Sequence, residues 1–414
     1  MQRLLKYTKE NRDFLINITA GLLVFFIPIS SALTNIMLIP LTVLVAYDRY
    51  KQKSIPFFST LPTIFFSLSI FSLFIIAIFK GSFILDAGIY IRYFTVLLLF
   101  ILYDRVSKIE TVEKFYLLGL SIVTVIAIVK IINFKTANPD LLFNTGDSID
   151  EILWGSRPYA SFMLVLGIFI SLRRFSLNSK KSWFFLIPSV IFLLLCNYIS
   201  ARLSLALGVA TAVYFLFFRF KMSNKVKVLS MLVFVVLVMV MVIFNKSLIL
   251  RTPLDNLSKL DKIVAIAKDR EPRYVIWSCS SILLKTNSNA LFGISSYERY
   301  RQDLVNCYAE IIINREEKQK YYMDSRFGSH NQFLDFWLNG GILPFLLLLA
   351  SFASAFFSKK INSNAKWIYF LFFSFFLVEN VLYRQTGYYL FGIFATLYTC
   401  TIYKKGINEK SHYP

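Results

Sequence analysis

Apolar residues fall along this chain in runs of membrane-spanning length, separated by short polar joints. The runs lie near 13–29, 32–47, 57–79, 88–103, 115–134, 158–172, 183–199, 203–218, 228–245, 331–357, 367–383 and 387–403. A helix crosses a bilayer core with about 20 mostly apolar residues. The pattern therefore predicts an all-α integral membrane protein with about twelve transmembrane helices. The alternating segments of an outer-membrane barrel do not occur. Between the first two runs, Pro28-Ile29-Ser30-Ser31 leaves room only for a tight turn.

Every second joint is basic. The N-terminal segment carries Arg3, Lys6, Lys9 and Arg12; Arg49, Lys51 and Lys53 follow, then Arg105, Lys108 and Lys114. The series continues with Arg173, Arg174, Lys180 and Lys181, with Arg219, Lys221, Lys225 and Lys227, and with Lys359, Lys360 and Lys366. It ends in Lys404, Lys405 and Lys410. Short basic loops stay on the cytoplasmic side. The alternation predicts an even number of spans and two cytoplasmic termini. Residues 1–12 run straight into the first span with no small-residue cleavage site, the pattern of a retained anchor.

One polar stretch is far longer than the rest. Residues 246–329 separate spans nine and ten and read as an external loop within a single polytopic domain, 1–414. Long loops escape the charge rule, so its Lys and Arg leave the topology intact. Pro272 suits the first turn of a helix, and Arg273-Tyr274-Val275-Ile276-Trp277 opens an amphipathic run to about Leu284. Glu310 to Met323 is a second helix candidate. A loop of this length is usually a lid or a site.

Composition narrows the class. The chain is 57% hydrophobic with a formal net charge of +21. In a soluble protein that charge would suggest nucleic acid; here it sits in short loops between spans, and no nucleic-acid motif accompanies it. The mean hydropathy is +0.60. No Walker loop, dinucleotide fingerprint or zinc spacing is present. Asp147, Asp150 and Glu151 cluster without an Asp-x-Asp pair. Cys279 and Cys307 share the external loop, where both a disulfide and two free thiols stay open. An ion-coupled transporter would carry more acids inside its spans and broken helix pairs in both halves.

The candidate chemistry gathers on the external side. His330, one of two histidines with His412, stands where the long loop meets the tenth run, in Ser329-His330-Asn331. An imidazole ordinarily titrates near neutral pH and suits proton exchange. Arg202 lies between two spans with almost no loop to hold it. A charge at a helix centre in the membrane costs about 2.5–3.5 kcal/mol and usually faces a cavity or a partner. Arg157 marks the external start of the sixth run, and Arg273 begins the amphipathic helix. Each alone reads as a snorkelling or solvated arginine. Sharing one face with His330, they point to a diphosphate held by guanidinium forks without metal. Glu379, near the outer end of the eleventh run, is a supporting acid for Arg384 or for a site arginine. Leu334, Trp337 and Gly341 form a packing stripe, and Gly340-Gly341 permits close helix approach.

These residues resemble a known family. His330-Asn331, nine residues and then Gly341 is similar to the signature of the bacterial O-antigen ligases, within the O-antigen ligase/polymerase superfamily. The position three beyond that glycine is Pro344, where the family usually has Gly, Thr or Tyr. Phe26 to Asn35 resembles the family's first hairpin, Ser200-Ala201-Arg202 its Ser-x-Arg, Arg273 to Trp277 with Gly293 its loop helix, and Glu379 to Gly387 its late Glu–Arg–Gln–Gly stretch.

The resemblance implies a GT-C-like membrane glycosyltransferase of the bacterial inner membrane, acting at the periplasmic face. Its donor would be an undecaprenyl-diphosphate-linked glycan and its acceptor the lipid A–core oligosaccharide. Membrane lipid would be its other partner; nucleic acid and cofactors would play no part. His330 matches the family's general base, Arg202 and Arg273 its phosphate-binding arginines, and Arg157 a further one. Asn331, Glu379 and Arg384 would support them. A polymerase taking the same donor to a glycan acceptor is the nearest alternative. A flippase for a lipid-linked sugar is the reading from another class.

Overall fold

A computed structural model of the chain describes residues 2–52, 60–138, 152–175, 180–199, 201–220, 271–285, 289–294, 296–312 and 315–410, with a few positions between 223 and 236. Most of the ninth run, loop residues 246–270, Ser200 and the acids at 147–151 lie outside the described residues. Every regular element among the described residues is helical: α1 Gln2–Phe26, α2 Ser31–Gln52, α3 Leu61–Phe79, α4 Ala87–Tyr103, α5 Ile109–Ala137, α6 Arg157–Arg174, α7 Leu186–Tyr198 and α8 Arg202–Tyr214. The loop helices are α9 Pro272–Lys285, α10 Asn289–Phe292, α11 Tyr297–Ile311 and α12 Glu316–Ser325. Then come α13 Gln332–Gly340, α14 Ile342–Phe357, α15 Ser363–Phe376 and α16 Gln385–Lys410.

Four described helices are long and apolar enough to cross a membrane, and shorter apolar helices accompany them. Helix α3 shows why water is the wrong solvent. Pro62, Phe66, Ile70, Leu73 and Ala77 are buried, while Leu61, Ile64, Leu68, Phe71, Ile75 and Ile78 are exposed at helical spacing. A helix apolar on both faces has its outer face in lipid. This is a multi-pass membrane protein.

Two compact units emerge. The first comprises 1–16, 42–109 and 264–414; the second comprises 17–41 and 110–263. In the first, Phe391 of α16 is fully buried where Phe66, Phe100, Phe352, Phe372 and Phe376 converge from four other helices, at centroid distances of 4.8–6.2 Å. Hydroxyls tie α3 to α14: Ser69 Oγ donates to Pro344 O at 2.6 Å and Ser351 Oγ to Pro62 O at 2.8 Å. In lipid, where apolar burial drives little, such bonds and small residues hold helices together. In the second unit α6 is the centre, with Tyr159 to Leu172 all buried. Tyr116 OH donates to Met163 O at 2.9 Å, and buried Glu113 is held by Arg173 and Arg174.

The single span expected over 331–357 is two helices. Gly341 separates them with φ of 79°, a conformation that disfavours any side chain. A Cβ there would lie 2.1 Å from Leu291 O, so the loop backbone rests directly on the helix break. The expected helix at 310–323 is likewise divided: α11 ends at Ile311 and α12 begins at Glu316. The first loop helix starts at Pro272 and runs to Lys285, close to expectation.

Candidate active site

His330 sits at the joint between loop and helix. Asn331 is the N-cap of α13, its Oδ1 accepting from Phe333 N at 2.9 Å and Leu334 N at 3.0 Å. Its Nδ2 donates to Leu377 O at 3.0 Å. His330 itself has φ of 44°, an uncommon conformation for a residue with a side chain. Such a conformation persists only where neighbours over-determine it. Here Asn380 Oδ1 accepts from Asn331 N at 2.8 Å and from Ser329 Oγ at 3.0 Å, while Trp277 Nε1 donates to Ser329 O at 3.1 Å. Both neighbours of His330 are thereby pinned.

The imidazole meets an acid. His330 Nδ1 lies 3.2 Å from Glu379 Oε2, and Arg273 Nη2 donates to Glu379 Oε1 at 3.1 Å. Arg273 also donates from Nη1 to Glu271 Oε1 at 3.0 Å and from Nε to Val378 O at 3.2 Å. The Glu379 side chain is 9% exposed, against 31% for His330 and 33% for Arg273. An ionised carboxylate only accepts. A neutral ring facing it therefore carries its proton on Nδ1 and its lone pair on Nε2. Among the described residues Nε2 has no hydrogen-bond partner.

Behind His330 the inner face of α13 is anchored. Asp335, 1% exposed, accepts from Tyr300 OH of α11 and from Tyr93 OH of α4 at 3.5 Å. Gln332 Nε2 donates to the same carboxylate at 3.3 Å, and Gln332 Oε1 accepts from Leu382 N at 2.8 Å. Asp86 Oδ2 accepts from Tyr297 N at 2.9 Å at the start of α11, and burial pushes that carboxyl up. A Cys279–Cys307 disulfide joins α9 to α11 and settles the alternatives left open by the sequence.

The sequence candidates thus divide. His330, Asn331, Arg273 and Glu379 come together. Glu379 takes Arg273 as its arginine; Arg384 is exposed beyond the turn Val381–Tyr383. Arg157 and Arg202 belong to the second unit, where they open α6 and α8. There Arg157 is half-buried and Arg202 exposed. Trp337 packs, as its spacing implied: its Nε1 donates to Ala290 O at 2.8 Å and its ring stacks on Phe345. Asn380, Glu271 and Asp335 went unread in the sequence. For Glu271 a signal existed, an acid two residues before Arg273 at a helix start.

Residues 187–349 match the family model described as O-antigen ligase. Over that stretch the chain is similar to the O-antigen ligase family. It takes in Arg202, Arg273, His330, Asn331 and Gly341, and ends before Glu379 and Arg384. No curated protein matches the chain.

Proposed function

We propose that the protein is an O-antigen ligase, transferring a glycan from undecaprenyl diphosphate to a hydroxyl of the lipid A–core oligosaccharide at the periplasmic face of the inner membrane. The carrying observation is the chain Arg273–Glu379–His330. It presents Nε2 of a half-exposed imidazole as a base whose tautomer is fixed from behind. The acceptor hydroxyl gives its proton to Nε2 as its oxygen attacks the anomeric carbon. The bond from that carbon to the diphosphate breaks, and undecaprenyl diphosphate leaves with the electron pair. One displacement inverts the anomeric centre.

Negative charge grows on the diphosphate, and preorganised cations stabilise it. The resemblance offers Arg202 and Arg157 as phosphate-binding arginines. Arg273 has five N–H groups and uses three on Glu271, Glu379 and Val378; the others face the donor. The donor is already activated, so the reaction runs without metal or nucleotide. The disulfide supports an oxidising compartment for 271–312. With the basic loops it favours twelve spans, cytoplasmic termini and a periplasmic 246–329.

Deleting the gene tests the reading. Rough lipopolysaccharide with accumulated lipid-linked polymer is the expected outcome. A core carrying a single repeat unit would instead make the protein a polymerase.

A further inference from the structure

Helix α9 buries Val275, Ile276, Cys279 and Ser280 and turns Tyr274 and Trp277 outward. These two aromatics are three residues apart and share one side of the helix that carries Arg273. Tyr274 is 45% exposed and Trp277 37%. The indole is fixed, because Nε1 donates to Ser329 O, one residue from His330, at 3.1 Å. The Phe327 ring lies 5.6 Å from the His330 ring. Tyr321, exposed, packs 5.5 Å from Phe327.

We propose that Tyr274 and Trp277 form an aromatic ledge that holds one sugar ring of the acceptor glycan beside His330. The inference rests on the transferase reading above and adds the acceptor's binding subsite to it. A pyranose has a face of C–H bonds and a rim of hydroxyls. Its C–H face fits the electron-rich face of an aromatic ring. Its rim leaves one hydroxyl toward His330. The competing explanation is an interfacial belt, in which Trp and Tyr sit among lipid headgroups. In a belt the indole N–H reaches headgroups or water. Here it is turned inward onto a main-chain carbonyl, so the surface left outward is ring.

The test uses the full chain in lipid nanodiscs. The probe is the oligosaccharide released by mild acid from rough lipopolysaccharide of the host strain, titrated calorimetrically. Trp277→Leu should weaken binding severalfold, up to about tenfold. Trp277→Phe keeps a ring and should stay within about threefold. Tyr274→Leu, at an exposed position, should weaken binding severalfold without disturbing the fold. Undetectable binding by the wild type, or unchanged binding in both leucine variants, overturns the proposal. So does equal loss in Trp277→Phe and Trp277→Leu, which would assign the effect to the N–H. Nanodiscs of brominated lipid give a further arm: quenching present in the wild type and missing in Trp277→Leu would place the indole in the bilayer and defeat the ledge. A chain that binds the oligosaccharide through these residues yet transfers nothing from a lipid-linked donor would keep the ledge and sink the transferase reading.

Discussion

Replacing Glu379 with glutamine tests the proposed chemistry at its hinge. The change keeps the shape and removes one charge. Arginine has only donors, so the amide oxygen must face Arg273 and the NH2 group must face His330 Nδ1. A neutral imidazole then accepts at Nδ1 and holds its proton on Nε2, the nitrogen meant to receive one. General-base help is worth about 10²–10⁴ in rate, and that is the loss expected in kcat, with KM moving far less. Stability should fall more modestly. Two hydrogen bonds, at 3.1 and 3.2 Å, lose their charged acceptor in a side chain 9% exposed. The loss is about 1–3 kcal/mol, and Arg273 still keeps Glu271. Glu379→Asp retains the acceptor at a shorter reach and should recover part of the rate. The assay is single-turnover transfer by purified protein from lipid-linked donor to core acceptor, with thermal unfolding measured on the same preparation. A glutamine variant with kcat within about threefold of wild type would show that Glu379 does not set the tautomer, and the base assignment would lose its support.

Other predictions address the remaining parts of the site. His330→Gln and His330→Asn should each lower turnover by about 10²–10⁴, the asparagine variant at normal protein levels, since asparagine tolerates the left-handed backbone; near-normal turnover by either would reduce His330 to a positioning residue. Arg202→Lys and Arg273→Lys should each lose most transfer, because lysine keeps the charge and not the fork. Full complementation by both would end the diphosphate role. Reduction of the Cys279–Cys307 bond should destabilise the α9–α11 pair by about 2–4 kcal/mol, read as a lower unfolding temperature with reductant. An unchanged temperature would show that packing alone holds the pair. A Cys at exposed Lys320, in a background lacking Cys196 and Cys400, should react with an impermeant thiol reagent only from the periplasmic side. Labelling from the cytoplasm would invert the topology. Chelator should leave turnover unchanged; abolition of activity would refute the metal-free mechanism.

Helix identity was legible because it rests on local pattern. Long apolar runs announced α3, α4, α5 and α6, and Pro272 announced the start of α9. The division at Gly341 was not. The sequence there stays apolar on both sides, and a 16-residue helix following a 9-residue one adds up to one span in any window. What breaks the run is a backbone from elsewhere in the chain, Leu291, pressing where only glycine fits. Charge carried more than topology. Arg49, Arg105, Arg173 and Arg174 read as topology markers, and in the fold they also hold Asp104, Asp48 and Glu113. Asp48 and Glu113 are themselves almost fully buried. Acids so close to basic clusters are easily dismissed as surface charge.

Residue types near His330 were legible for the same reason that their roles were not. A lone histidine and a few arginines stand out in an apolar sequence, whereas partnership depends on contacts between residues about 50 to 106 apart in the chain. Arg273 shows the consequence. By type it is a cation seeking an anion, and a diphosphate is the anion the resemblance implies. In the folded chain two carboxylates already face it, so its charge is largely met before any donor arrives. A guanidinium in that setting contributes direction through its remaining N–H groups more than net charge. Its conversion to lysine is then the sharper experiment than its removal. Alanine would disturb Glu379 and His330 along with any ligand, while lysine leaves a cation for Glu379 and takes away the planar fork.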